Sequence, residues 1–443
     1  MKISKLHIDQ FRHLENLEFD FTYPEDFHIE EKRGKPLDKI CFIGQSATGK
    51  TGLLELIKDQ HTVVNNIIIN GITFTYKKDI PKSTKTFASF DISDNILEVK
   101  NDKLNFNEKK FHYVDAGGTF SNLLNDHEKK HIYYFKANLI SEKNIELFTK
   151  NPIDIFEKYP KLDNRYNIDN YFSKEEPIIF DDNIDDDLWL VFLKEILEYR
   201  KKFNQKMSEL IHKGLLANAK KLSSEFDKWQ KDNPNKVEIF AEKFNPLLEK
   251  LNLEVDKVNT EYTIPIINKR TEEIIPIQQT STGTKGLLLS FLPLYKLDTK
   301  DSIILIDEPE RSLYPDMQME LMDHYKNLAP EAQFIVATHS PFIAASFEPE
   351  ERFILHFDNE GKVAVRRGIS PIGDDPNDML FNDFGVNYYN DDVQEKFKEY
   401  LELLDKVKSE NNKELKKKYL LEASKLGNQY NFILDEKNKE RLQ

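Results

Sequence analysis

The amino-acid sequence predicts an α/β fold with an antiparallel β flap, an inserted helical hairpin and a C-terminal helical tail. Three observations lead to this prediction. A glycine-rich loop, IGQSATGKTG, lies between the apolar run Lys39–Ile43 and residues whose apolar side chains recur at helical spacing. Two more apolar runs, Ser302–Ile306 and Phe334–Ala337, end in polar residues and have the composition of strands buried on both faces. A long helix-favouring stretch, 188–229, separates the glycine-rich loop from these two runs.

Length and composition narrow the class of protein. The 443 residues are too many for one simple core, at about 100–200 residues per domain, so we expect a second lobe or a long insertion. Hydrophobic residues make up 39% of the chain and the net charge is −14, which indicates a packed, acidic protein rather than a disordered one. This acidity argues against DNA binding over the whole surface but leaves a local basic groove open.

Two further features concern compartment and redox chemistry. No apolar run reaches the ~18 residues of a membrane span, and the first residues lack the apolar segment of a signal peptide, so we expect a cytoplasmic protein without membrane contact. The single cysteine, Cys41, excludes an internal disulfide and a cysteine-rich metal site, and its apolar neighbours predict that it is buried.

The N-terminal part predicts strands before and after one helix. Alternating apolar residues predict strands over 2–11 and 14–23, followed by a turn at Glu30–Lys35. Apolar residues within 53–57 predict the helix that follows the glycine-rich loop. From Ile67 to about Val114, short alternating runs return, and they predict the antiparallel flap.

The middle of the chain predicts a connector and then helices. Residues Ile153–Asp187 lack periodicity and predict an irregular connector. We interpret the acidic run Asp181–Asp187 as a solvated loop and helix start, because no ordered metal-ligand spacing accompanies it. The stretch 188–229 predicts one long helix that ends at Asn233-Pro234. A second helix, Val237–Leu251, is expected to run back against it as a hairpin, before several short strands.

The glycine-rich loop fits the pattern G-x-x-x-x-G-K-[ST] of a phosphate-binding loop, in the required order strand, loop, helix. Glycines let backbone N–H groups converge on phosphates, and the helix N-terminus adds a positive partial charge at the same place. We expect Lys50 to reach the β- and γ-phosphates of ATP and the Thr51 hydroxyl to bind Mg²⁺. The remaining residues predicted to cradle the nucleotide are Gly44, Gln45, Ser46, Ala47, Thr48 and Gly49.

Polar residues end both of the later apolar runs. The first run is followed by Asp307 and Glu308, and a buried strand rarely ends in paired carboxylates that have no partner. We therefore assign Asp307 to Mg²⁺ and Glu308 to orienting or deprotonating the attacking water, a division of labour that fits nucleotide hydrolysis. The second run is followed by His339, whose neutral imidazole is suited to sensing the γ-phosphate.

As an ordered set, four segments resemble the P-loop NTPase head of ABC-type ATPases, and within that class the SMC-like and OLD-like ATPases. They are GQSATGKT (44–51), TSTGTKG (280–286), ILIDEPERSLYPD (304–316) and IVATHSP (335–341). The resemblance implies that TSTGTKG is the signature motif, in which Ser281, Thr282 and Gly283 approach the γ-phosphate of ATP bound to the opposite subunit. It also implies that 312–316 is a D-loop joining the two sites and that Arg12 approaches the phosphates.

Two departures from the family pattern matter. The glutamine loop expected after the flap contains no glutamine in IYYFKANLISE, so Lys136 or Asn138 takes that place or the loop lies elsewhere. After His339 no Asp-x-Asp ends an apolar strand as in a TOPRIM domain, so the chain is interpreted as a stand-alone ATPase. Its segment GDDPNDMLFNDFGV and the helical tail resemble ATPase subunits of bacterial anti-phage systems such as Septu and PARIS. The alternative is a loop that only packs the tail onto the head.

The resemblance implies a homodimer, or a higher assembly of dimers, that closes around ATP and Mg²⁺ and acts as a sensor or scaffold for a separate nuclease or toxin effector. The alternative is an SMC- or RecF-like DNA-repair clamp. The lysines of the predicted hairpin are mixed with acids, a pattern more typical of a solvated helix face, and DNA stays an open partner. The predicted regions are the N-terminal half of the ATPase head (1–150), the connector and helical hairpin (151–258), the C-terminal half of the head (259–369) and the helical tail (370–443).

Overall fold

The computed structural model describes residues 1–70, 85–92, 95–100, 103–107, 109–112, 131–159, 177–259, 261–373, 375–386, 390–430 and 432. The strands are β1 (Lys2–Phe11), β2 (Leu14–Asp20), β3 (Lys39–Gly44), β4 (Lys85–Ile92), β5 (Asn95–Lys100), β6 (Lys103–Phe106), β7 (Lys109–His112), β8 (Ile132–Phe135), β9 (Ile178–Phe180), β10 (Leu253–Val255), β11 (Ile266–Asn268), β12 (Ile274–Ile275), β13 (Ile303–Asp307), β14 (Gln333–Ala337), β15 (Arg352–Phe357) and β16 (Val363–Arg367). The helices are α1 (Lys50–Asn70), α2 (Glu142–Thr149), α3 (Pro152–Lys158), α4 (Asp186–His212), α5 (Ala219–Asp232), α6 (Lys236–Leu248), α7 (Thr282–Lys296), α8 (Pro315–Leu328), α9 (Pro341–Ala344), α10 (Pro376–Asn382), α11 (Asp391–Ser409) and α12 (Lys413–Tyr430).

A seven-stranded sheet in the order β16-β15-β3-β14-β13-β8-β9 forms the centre of the molecule. Its neighbouring strands are parallel, except that β15 and β16 pair antiparallel. Strands β13 and β14 are buried along their whole length, as their continuous apolar runs predict. Cys41, on β3, is also fully buried. The register pairs Asp307 with Ala337 and Ala337 with Phe42, so the carboxyl ends of β3, β13 and β14 meet at one edge.

The flap belongs to a second, antiparallel sheet in the order β2-β1-β4-β5-β6-β7. The predicted α/β fold with its antiparallel flap is thereby confirmed. The prediction that the flap starts at Ile67 is wrong, because helix α1 continues to Asn70. The β-branched run at 67–69 favours a strand only weakly, and continuing an established helix adds a hydrogen bond for each residue fixed. The predicted strand at 72–76 lies outside the described residues.

The connector and the hairpin differ from their predictions. Within the predicted connector, residues Ile178–Phe180 form β9, which extends the central sheet by pairing with β8. The predicted single helix is broken, because Gly214 adopts a left-handed φ of 69° just after α4 ends. Ring contacts between Tyr199 and Trp229 and between Phe203 and Phe226 join α4 to α5. The hairpin therefore turns at Gly214 and α5 is its returning arm. Helix α6 is a third helix, and it also lies against α4, where Nζ of Lys236 is 3.6 Å from Oε2 of Glu195.

The remaining elements follow the predicted order. The acidic run forms a loop and the start of α4, with the Asp185 side chain accepting a hydrogen bond from the Asp187 backbone N–H. Helices α11 and α12 enclose a small apolar cluster of their own, which includes Phe397 and Ala423. Among the helices of the described residues, none has both the length and the apolar content needed to cross a membrane.

Candidate nucleotide site

The phosphate-binding loop has a backbone that requires glycine at two positions. Gly44 has φ 141° and Gly49 has φ 92°, values that L side chains rarely adopt. A Cβ added at Gly44 would collide with the carbonyl oxygen of Leu355 on the adjacent strand β15. These two glycines are the fixed glycines of the motif, so its spacing follows from the backbone path of the loop.

Lys50 lies at the start of α1 with only 6% of its surface exposed. Its Nζ donates hydrogen bonds to the carbonyl oxygens of Gly44 at 2.8 Å and Gln45 at 2.9 Å. Burial lowers the pKa of Lys50 to about 8, against the opposing effect of Asp307 and Glu308. Because this pKa is still above 7, the lysine is mainly cationic at neutral pH, and its positive charge lies within the loop that would hold phosphate.

Thr51 and Asp307 meet although they are 256 positions apart. The Thr51 hydroxyl donates to Oδ1 of Asp307 at 3.1 Å and to Oδ2 at 3.0 Å. Burial raises the pKa of Asp307 to about 6, and the Thr51 hydrogen bond opposes this effect. A hydroxyl and a buried carboxylate are hard oxygen ligands of the kind that Mg²⁺ prefers. In the described part of the chain there is no cluster of three or more His, Cys, Asp or Glu for a metal, so a Mg²⁺ ion here would complete its shell with phosphate and water.

Glu308 and His339 follow adjacent strands at the same edge. The backbone N–H of Glu308 donates to the Ala337 carbonyl oxygen at 2.8 Å, and Glu308 has φ 52°, so the chain turns sharply at the end of β13. Burial and the charge of Lys50 lower the pKa of His339, while Glu308 opposes them. The direction of this shift favours the neutral imidazole that the proposed sensing of a γ-phosphate requires.

Glu310 is a further residue of this site, to which the sequence motifs assign no role. Its Oε1 accepts a hydrogen bond of 2.8 Å from the backbone N–H of His339. Burial raises the pKa of Glu310, and the His339 N–H opposes this. The segment DEPE shows a second glutamate beside Glu308, but the group that hydrogen-bonds to this glutamate depends on how the following loop folds.

The predicted signature residues lie at the start of α7. Ser281 caps this helix, since its Oγ accepts from the Thr284 backbone N–H at 3.1 Å, and both Ser281 and Thr282 are exposed. Gly283 is buried against the loop that follows β13, where an added Cβ would lie 2.5 Å from the carbonyl oxygen of Ser312. A cavity between this helix start and the strand ends is lined by residues that include Lys136, Ala137, Gly283, Asp307, Glu308 and Arg311.

Arg12 lies immediately after β1, beside the first turns of α1. Its Nη2 lies 2.6 Å from Oε2 of Glu55, and its Nη1 lies 3.5 Å from the position of a Cβ added at Gly52. The guanidinium is thus held next to the helix that begins at the phosphate-binding loop. The side chain remains 59% exposed, which leaves donors available to a phosphate.

The glutamine-loop position stays unassigned. Nζ of Lys136 pairs with Oδ2 of Asp181 at 3.4 Å, and Asn138 is exposed. Between them, the carbonyl oxygen of Ala137 accepts a hydrogen bond from Nη1 of Arg311 at 2.5 Å. The contacts of this segment therefore tie it to the loop after β13.

Comparisons with known proteins identify the family of this chain. A family model described as an AAA ATPase domain matches residues 1–344. The Septu protein PtuA of Bacillus thuringiensis is 33% identical over 72 residues, which are 16% of this chain and 18% of PtuA, so the chain matches less than a fifth of that relative's length. Among solved structures, an SMC head bound to the C-winged helix domain of ScpA has a TM-score of 0.38 at 13% identity, with 83% of this chain and 97% of that chain covered. The SMC head domain from Thermotoga maritima gives the same score and identity over 84% and 100%. These scores are low, so the interpretation of the site depends on the residues themselves.

Proposed function

Because the chain belongs to the AAA ATPase domain family, we propose that it binds ATP with Mg²⁺ at the loop 44–51 and hydrolyses the nucleotide. The observation that carries this proposal is the hydrogen-bonded pair Thr51–Asp307 next to the buried Lys50. A cation and two hard oxygen ligands lie where the carboxyl ends of β3 and β13 meet. This arrangement suits a phosphate chain with its metal ion better than an uncharged ligand.

Each side chain has a distinct part in this proposal. Lys50 exchanges the two loop carbonyls for phosphate oxygens, which are stronger acceptors because they are charged. Mg²⁺, held by Thr51 and Asp307, supplies charge neutralisation of the phosphates. Glu308 accepts a proton from the attacking water, and neutral His339 donates a hydrogen bond toward the γ-phosphate.

A dimer completes the site in this proposal. The hydrogen bonds described for Ser281 stay within the start of α7, and Ser281 and Thr282 are exposed. A helix start with free surface is suited to receive the anionic γ-phosphate of a nucleotide on a second copy. Ser281, Thr282 and Gly283 would then act in the site of the opposite subunit, as the signature resemblance implies.

The proposed biological role is a sensor or scaffold in an anti-phage complex that controls a separate nuclease or toxin effector. Its support is the similarity to the Septu protein PtuA together with the tail resemblance. The DNA-clamp alternative receives no support from the hairpin, whose Lys206 and Lys213 pair with Glu209 and whose Lys228 pairs with Glu225. Such pairs within one helix are typical of a solvated face.

The enzymatic proposal is tested by Glu308→Gln and Lys50→Ala, with Glu360→Gln, in an exposed turn, as the matched control. We expect Glu308→Gln to bind ATP with Mg²⁺ at parental affinity and to lose at least about 100-fold in turnover, the usual contribution of a general base. Lys50→Ala should lose ATP binding, and the control should match the parent. Parental turnover of Glu308→Gln would remove Glu308 from the mechanism, and parental ATP affinity of Lys50→Ala would refute the nucleotide site.

The role in phage defence is tested in the host. Deleting the gene should raise the plating efficiency of at least one phage, and complementation with Lys50→Ala should fail to restore protection. If the deletion changes no plating efficiency over a broad phage panel, the defence role is refuted while the ATPase proposal stands.

A further inference from the structure

A chain of hydrogen bonds connects the loop after β13 with the residue next to His339. Gln318, in the first turns of α8, is 9% exposed. Its Nε2 donates to the Leu313 carbonyl oxygen at 2.7 Å, and its Oε1 accepts from the Ser340 hydroxyl at 2.5 Å. The Gln318 amide therefore joins two loops that approach the site from different strands, and both ends of the amide are satisfied.

Ser340 transmits this contact to the backbone around His339. Its Oγ also accepts from the backbone N–H groups of Phe342 and Ile343, at 3.1 and 3.3 Å, and its own N–H donates to Thr338 Oγ1 at 2.9 Å. With 6% of its surface exposed, Ser340 has little freedom to find another partner. Its hydroxyl thus fixes the direction in which the chain leaves His339.

The other side of His339 is held by the same loop. The His339 backbone N–H donates to Glu310 Oε1 at 2.8 Å, so His339 lies between two contacts that both lead to the segment 310–318. That segment also contains Ser312, which has a left-handed φ of 62° and whose carbonyl oxygen packs against Gly283. A shift of the loop at Gly283 must therefore move the contacts on both sides of His339.

We propose that Gln318 is a positioning residue that sets the direction of His339 toward the γ-phosphate and couples it to the loop 310–314. Gln318 does not touch the nucleotide. It acts by holding Ser340 close to Leu313, so that the imidazole of His339 reaches the γ-phosphate of ATP. ADP lacks this phosphate and therefore lacks the contact. This inference rests on the proposed function, because it takes ATP as the ligand and His339 as the group that senses the γ-phosphate.

The test measures how well the nucleotide-binding site distinguishes three phosphates from two. Dissociation constants of ADP and of a non-hydrolysable ATP analogue, each with Mg²⁺, are determined by calorimetry on the full chain. The variants are His339→Ala, Gln318→Leu, Ser340→Ala and Ser340→Thr. The control is Gln333→Leu, since Gln333 is a fully buried, hydrogen-bonded glutamine at the opposite end of β14, where its amide bonds Ile3 and Leu37.

We expect His339→Ala to lower the preference for the ATP analogue over ADP by about tenfold, the worth of one hydrogen bond to a charged group. Gln318→Leu and Ser340→Ala should lower it by about three- to tenfold, and the double variant should be no worse than Ser340→Ala alone, because the contact between Gln318 and Ser340 is already lost in that variant. Ser340→Thr keeps the hydroxyl and should restore most of the preference. Gln333→Leu should leave the preference unchanged even if it lowers stability more.

The outcomes separate the positioning role of Gln318 from the sensor role of His339. If His339→Ala lowers the preference while Gln318→Leu and Ser340→Ala keep the parental value, the positioning role is refuted and the sensor role of His339 stands. If His339→Ala keeps the parental value, both fail. If Gln333→Leu lowers the preference as much as Gln318→Leu, the effect comes from general loss of stability and the inference is overturned. Should Gln318→Leu fail to fold, Ser340→Ala with its rescue by Ser340→Thr decides alone.

Discussion

Helix α7 contains two glycines that offer a matched test of how tightly its first turn packs on the loop after β13. At Gly283, an added Cβ would lie 2.5 Å from the Ser312 carbonyl oxygen and 3.0 Å from Leu313 Cδ2. At Gly286, it would lie 2.9 Å from Cδ1 of Ile140, the far end of a flexible side chain. An alanine at position 283 therefore requires the backbone at Ser312 to move, whereas an alanine at position 286 requires only a rotamer change of Ile140.

The expected changes in the free energy of unfolding follow from two opposing effects. Replacing glycine by alanine within a helix stabilises it by up to about 1 kcal/mol. Overpacking against backbone costs about 1–3 kcal/mol. We therefore expect Gly286→Ala to raise the free energy of unfolding by about 0.5–1 kcal/mol and Gly283→Ala to lower it by up to about 2 kcal/mol.

Both changes are measured by urea unfolding of the nucleotide-free full chain, followed by circular dichroism and analysed with a common slope. Gly283→Ala should also lower ATP turnover, because the displaced Ser312 belongs to the segment that holds His339. Gly286→Ala should keep the parental turnover. If the two alanine variants are stabilised equally, the close approach of Gly283 to Ser312 is wrong.

Two further predictions concern stability and assembly. Burial raises the pKa of Asp38, but hydrogen bonds from Lys2 at 2.5 Å and an ion pair with Lys32 at 2.8 Å outweigh it and bring the pKa to about 2. This pKa is below the unfolded value of about 3.9, so the charged carboxylate stabilises the fold above pH 4 by about 2 kcal/mol and loses this effect as the pH falls toward 2. Asp38→Asn should therefore lower the free energy of unfolding in urea by that amount at pH 7 and by almost nothing near pH 2. An equal loss at both pH values would contradict the ion-pair assignment of Asp38. For the dimer, Lys50→Ala and Ser281→Arg chains should each be inactive, and their tagged heterodimer should regain ATP hydrolysis at its one intact composite site; verified heterodimers without activity would refute a shared site.

The sequence was most informative where function depends on a contiguous stretch. The loop 44–51 can be predicted from the sequence alone, because the spacing of its glycines, Lys50 and Thr51 follows from one continuous backbone path. The meeting of Thr51 and Asp307 was also foreseeable, since buried parallel strands bring their carboxyl ends together. The roles of Glu310 and Gln318 were not, because their hydrogen-bond targets depend on the left-handed turn at Ser312, which no local pattern marks.

The errors in the fold also have physical causes. Helix-forming residues on both sides of Gly214 favour one continuous helix, and only the contacts between α4 and α5 show that the chain turns there. Strand β9 has only three residues, Ile-Ile-Phe, whose types favour a strand, but so short a run inside an irregular stretch becomes recognisable only through its pairing with β8. In both places the outcome depends on contacts between elements that lie apart in the sequence.

Strand β3 has a consequence for how the chain folds during synthesis. Its two neighbours, β14 and β15, begin at Gln333 and Arg352, so β3 has no partner until most of the chain has left the ribosome. At about 5–20 residues per second, the interval between the end of β3 and the end of β15 lasts roughly 15–60 seconds. Until β14 is complete the run Ile40–Ile43, later fully buried, lacks both of its neighbours in the sheet, and unpaired strand edges of this kind favour aggregation.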